Sequence, residues 1–128
     1  MAEATGKSYA AHASDANWAE GLRSYLSYRG LGIKEATDGK VMAQVIRANE
    51  PCGGPMGYHY HDLEFQMNYL IKGSARIYLE DIGEIHVEAG DVWYQAPNVK
   101  HEVLEYSDDF EVLEITMPAD FPTHEISR

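Results

Sequence analysis

A second cysteine is missing from this chain. Cys52 stands alone among 128 residues, so no intrachain disulfide can form, and the expected environment is reducing. Positive charge is also scarce. Ten lysines and arginines face 21 aspartates and glutamates, a formal net charge of −11. Such a surface repels phosphate backbones and anionic headgroups, which argues against nucleic acid and membranes as partners. An anionic small ligand would have to be drawn in locally, by a metal or an arginine. No segment is apolar for long enough to span a bilayer. The opening residues, M-A-E-A-T-G-K-S-Y-A-A-H, hold no run of signal-peptide length, so the expected compartment is the cytoplasm. No internal repeat breaks the chain, and its length suits one domain with its own core.

What the chain does have is short β-prone runs between turn residues. Val41 to Ala48, Gln66 to Ile71, Val92 to Gln95, His101 to Tyr106 and Phe110 to Met117 read as strands. Ala75 to Glu80 and Glu84 to Glu88 read as a hairpin across Asp81-Ile82-Gly83, and Asp38-Gly39 as a turn. Many short strands with Gly- or Asp-bearing turns predict an all-β antiparallel sandwich or jelly roll. Asn17 to Leu26 is ambiguous. Trp18, Leu22 and Tyr25 recur at helical spacing, and Asn17 with Glu20 suits a capping box, yet Tyr25 to Tyr28 suits a strand equally. Trp18 reads as an aromatic anchor on the barrel or a neighbouring subunit. The expected division is an N-terminal extension over 1–30, helical or irregular, a barrel over 31–118, and a polar surface tail over 119–128.

The chemistry concentrates in two stretches, G-G-P-M-G-Y-H-Y-H-D-L-E-F-Q-M-N-Y-L-I-K-G from Gly53 and G-D-V-W-Y-Q-A-P-N-V-K-H from Gly90. His59 and His61 are two apart, so on a strand both imidazoles share a face. Gln66 lies an odd number of positions further on and needs a loop or bulge near Asp62–Glu64 to join them. His101 closes the second stretch. Three imidazoles and one side-chain oxygen can close around a divalent metal.

Together the two stretches resemble the two motifs of the cupins. Gly53, His59, His61 and Gly73 fall on the first, with Gln66 where a glutamate is usual; Gly90, Asp91 and His101 fall on the second. The second departs from the pattern at Ala96-Pro97-Asn98 and at Glu105. The resemblance spans roughly residues 40 to 118. It implies a double-stranded β-helix, or jelly-roll barrel, holding one divalent transition metal on His59, His61, Gln66 and His101. Zinc, iron, nickel, manganese and copper all remain open. It also implies a homodimer.

Gln66 bears on the reaction. An amide adds an oxygen dipole and no charge, so the first shell would keep the full +2 of the ion. That favours Lewis-acid chemistry on an anionic ligand over oxygen activation. Val112, Glu114 and Thr116 share one face of the last long strand. A carboxylate facing into a barrel is costly unless paired or functional. Glu114 before I-T-M-P resembles cupins that ketonise unsaturated uronates, which implies Glu114 as the base. Glu105, at the parity of His101, is the weaker candidate. Asn68 shares the parity of Gln66, and Gln44, Arg47 and Arg76 are candidates to hold a substrate carboxylate. Surface salt bridges are the plainer reading of both arginines. Asp62 and Glu64 are candidates to orient a ligating histidine. His12, His86 and His124 read as solvated. The function expected is a metal-dependent isomerase, tautomerase or lyase acting on a small oxygenated, anionic metabolite. The alternatives are a dioxygenase on an enol, diketone or phenol, and a small-molecule binder without catalysis.

Overall fold

Buried and exposed side chains alternate along most of the chain, and that period of two builds two antiparallel sheets. The structure, a computed structural model, describes residues 7–20 and 24–126. One sheet takes β1 (Ala19–Glu20), β2 (Leu26–Gly30), β3 (Met42–Ala48), β5 (Phe65–Lys72), β8 (Val92–Tyr94) and β10 (Glu111–Met117), in the order β1-β2-β3-β10-β5-β8. The other takes β4 (His59–His61), β6 (Ser74–Leu79), β7 (Gly83–Glu88), β9 (His101–Tyr106) and β11 (Thr123–Glu125), in the order β11-β4-β9-β6-β7. The architecture is the expected jelly roll. Among the described residues helix is confined to a 3-10 turn at Ala13–Asp15 and one α turn, α1 (Ile33–Ala36), which the sequence reading did not assign.

Leu70, Ile77 and Leu79 are fully enclosed between the sheets, with Trp93, Tyr106, Phe110 and Val112 around them. The outer face of the six-stranded sheet is unusually apolar. Tyr69, Ile71, Val92, Tyr94 and Met117 are exposed there. Gly73, between β5 and β6, has φ +81°, and Ser107 Oγ occupies the space a Cβ would need, with Asp109 Oδ1 at 2.7 Å from it. Only glycine fits both the backbone and the space.

Two local readings change and a third is met. The helical reading of Trp18 and Tyr25 gives way to strands: β1 pairs with β2, Ala19 opposite Tyr28 and Glu20 opposite Ser27. A helix that short is marginal, whereas a sheet edge supplies backbone partners directly. Leu22 lies outside the described residues. Trp18 is covered by Arg47, whose Cζ sits 3.8 Å from the ring centroid. Gln66 reaches the histidines because the chain leaves the five-stranded sheet after His61 and enters the other at Phe65. Finally, the tail adds β11 to β4, with Thr123 opposite His61 and Glu125 opposite His59.

Candidate metal centre

His59 and His61 face inward from β4, and His101 faces them from β9, where its Cα is the register partner of His59. Ring centroids lie 4.8 Å apart for His59–His61, 4.3 Å for His59–His101 and 5.0 Å for His61–His101. One ligand nitrogen from each falls within 4.8 Å of the other two. Each Nδ1 is occupied. His59 Nδ1 lies 2.8 Å from the Gly57 carbonyl and His101 Nδ1 3.1 Å from that of Val99. A carbonyl only accepts, so in the neutral ring Nδ1 carries the proton and Nε2 keeps a bare lone pair. His61 Nδ1 lies 2.9 Å from Thr123 Oγ1. Burial lowers the His61 pKa to about 3, helped by the neighbouring imidazoles of His101 and His59. Burial likewise lowers His101 to about 4; its bond to Val99 opposes the shift, and His59 adds to it. Both rings are therefore neutral near pH 7. Imidazoles converging in this way, two of them with the tautomer set by a carbonyl, suit a divalent transition metal, and these residues fit one.

The facing wall is built of amides. Gln66, Asn68 and Gln95 are buried beside the same cavity. Trp93 Nε1 donates to Gln95 Oε1 at 3.0 Å. Gln95 Nε2 donates to Gln66 Oε1 at 3.3 Å, and Gln66 Nε2 to Glu114 Oε2 at 3.2 Å. Gln44 Nε2 donates to Glu114 Oε1 at 2.9 Å, and Asn68 Nδ2 to Gln95 Oε1 at 3.4 Å. An indole N–H can only donate. Trp93 therefore fixes which end of Gln95 is oxygen, Gln95 fixes Gln66, and Gln66 turns an N–H toward Glu114. Its Oε1 retains a second lone pair. Burial pushes the Glu114 pKa above the usual carboxylate range, and the Gln44 and Gln66 donors pull the other way. Histidines, amides and carboxylate share one cavity of about 240 Å³.

The comparisons decide the family. The model of the Cupin domain matches residues 49–116, which hold both histidine stretches and Glu114. The chain is a cupin.

Solved structures agree on the fold. KdgF from Halomonas sp. superposes with a TM-score of 0.72 at 15% identity, over 88% of this chain and 94% of that one. The polyketide cyclase RemF from Streptomyces resistomycificus gives 0.74 at 15%, over 95% and 87%. A mutant of the oxalate decarboxylase OxdC from Bacillus subtilis gives 0.67 at 20%; there the match covers 88% of this chain and only 31% of the longer one. At these identities the likeness is one of fold. Among curated proteins none matches.

Within this cupin the cavity gathers His59, His61, Gln66, Asn68, His101 and Glu114, and Gln44 reaches Glu114. Four candidates lie elsewhere. Glu105 is on the outer face, because β9 carries a bulge. Ile77 pairs with Val103 and Arg76 with Glu105, so Leu104 is skipped and the parity slips by one. Tyr106 turns inward instead and is buried. Arg76 binds Glu105 at 3.3 Å and Glu84 at 3.1 Å on that outer face. Arg47 covers Trp18. Asp62 holds His124 at 2.9 Å, not a histidine of the trio. Two contributions were missed. Gln95 shares parity with Trp93, a visible signal of inward orientation. Phe121 and Thr123 come from the tail, with Phe121 4.9 Å from the His61 ring, and nothing in the sequence linked them to it.

Proposed function

We propose that this cupin is a metal-dependent enzyme in which Glu114 moves a proton on a small oxygenated, anionic metabolite. The reaction class is isomerisation, tautomerisation or elimination. The carrying observation is the setting of Glu114, a carboxylate held by two amide N–H donors in the same cavity as three imidazoles. A divalent ion on His59, His61 and His101, with Gln66 Oε1 as fourth donor, would supply Lewis-acid polarisation of a substrate oxygen. Glu114 has the remaining task. Gln44 and Gln66 occupy one lone pair on each of its oxygens and fix the carboxylate plane. The other lone pairs are open to a substrate C–H or O–H. A pKa raised by burial makes the carboxylate a stronger base than an exposed one, and the acid it becomes can hand the proton back. Returning the proton to a neighbouring atom completes an isomerisation; expelling a leaving group completes an elimination. Neither outcome consumes oxygen.

The test is Glu114→Gln. The new amide fits, since Gln44 can flip to present its oxygen while Gln66 stays oriented by Gln95. Turnover of enolisable keto acids, measured with and without oxygen, should fall by about 10²–10⁴-fold with metal content unchanged. Full turnover in the variant removes Glu114 from the mechanism, and a strict need for oxygen in the parent protein replaces this reading with a dioxygenase.

A further inference from the structure

The cavity is layered. Gln44, Glu114 and Asn68 are register partners on β3, β10 and β5. Two residues along the same strands, Ile46, Val112 and Leu70 are register partners in turn. Tyr28, the β2 register partner of Ile46, also lines the cavity there. Side chains two apart share a face, so a wholly polar rung lies about 7 Å from a predominantly apolar one. The facing sheet repeats the step on β9, where His101 is followed by inward-facing Val103. Leu26 and Phe110 extend the apolar layer. Among the described residues no lysine or arginine lines the cavity, and Glu114 is the one acid that does.

We infer that the substrate is a carbonyl, enol or phenol compound with a single oxygenated end, which meets the polar rung, and a hydrocarbon body about one ring in size, which lies against the apolar rung. The oxygenated end rests on the function proposed above; the hydrocarbon body rests on the chain's own side chains. An apolar cavity of about 150 Å³ admits a benzene. The 240 Å³ here takes one ring with a short side chain. A sugar acid is the poorer match, because several hydroxyls turned toward Ile46, Val103 and Val112 would give up water with no partner on those side chains. A dicarboxylate is also wrong, having no cation for its second charge. The uronates implied by the sequence resemblance are thereby disfavoured.

Calorimetric titration of zinc-loaded protein with phenylpyruvate, pyruvate and glucuronate tests this. Phenylpyruvate should bind at least tenfold more tightly than pyruvate, with a more negative heat-capacity change, and glucuronate more weakly than either. In Ile46→Thr, and independently in Val112→Thr, the phenylpyruvate-to-pyruvate ratio should fall below threefold. Equal affinities, tighter glucuronate binding, or no binding of any of the three overturns the inference. The ratio should persist in metal-free protein and in Glu114→Gln. Failure to take up zinc, or full turnover by Glu114→Gln, would therefore count against the proposed function while leaving this preference measurable.

Discussion

On the five-stranded sheet each imidazole has its own anchor, whereas on the six-stranded sheet the amides anchor one another. His59 and His101 each meet the carbonyl two residues earlier, so a few consecutive residues set the tautomer. The orientation of Glu114 is set by a series that starts at Trp93, two strands away in the sheet order, and passes through Gln95 and Gln66. The first arrangement is local and modular. The second is collective, since low surrounding polarity strengthens each bond and penalises any broken one. A change on the histidine wall should therefore remove one function cleanly, while a change on the amide wall should spread.

His101→Ala carries the largest expected effect. It deletes a donor outright, and losing a mere outer partner of a ligand already costs about 10–100-fold in metal affinity. Zinc affinity by competition titration should fall by more than about a hundredfold. The amide wall shares no bond with His101, so its network should survive, and near-ultraviolet circular dichroism of Trp93 should be unchanged. Loss of that signal together with the metal would mean the two walls are not separable.

Gln95→Leu probes the other wall and should act more weakly but on more properties. It strands the Trp93 N–H and the Asn68 amide, and it frees Gln66 to rotate. Leaving buried polar groups unpaired costs about 1–3 kcal/mol, readable by denaturant titration. Turnover should fall about tenfold through kcat with little change in KM, the size of effect expected when a supporting partner is lost. A loss of stability with kcat untouched would make the network structural only.

The same contrast explains what was legible in the sequence. His59 and His61 were readable from their spacing alone, and His101 from the second motif, because local geometry decides where they point. Glu114 was readable from the resemblance around I-T-M-P; its parity with Val112 and Thr116 left open which face of the strand turns inward. Glu105 was not. The bulge that turns it outward lies in E-V-L-E-Y, which holds no glycine or other bulge signal, and it exists only in relation to β6. Arg76 makes the surface salt bridges that were its plainer reading, with Glu84 and Glu105, while Arg47 covers Trp18; strand register chose those partners. Gln95 was legible as inward-facing, but its place between Trp93 and Gln66 required knowing that β8 lies beside β5. Trp18 and Tyr25 followed a helical period that an available sheet edge overrode.

His61 stands between the two modes, and the smallest prediction concerns it. Its Nδ1 partner is a hydroxyl from β11, brought 62 residues along the chain. A hydroxyl can donate or accept, so Thr123 restrains the ring without dictating the tautomer as a carbonyl does. Thr123→Val keeps the shape, and with it the Phe121 ring against His61, but deletes that bond. Zinc affinity should fall by about tenfold, the lower end of the range for an outer partner, and Thr123→Ser should restore it. A loss as large as that of His101→Ala would make the tail strand a full part of the metal centre. No loss at all would mean that packing against Phe121 suffices to aim the ring.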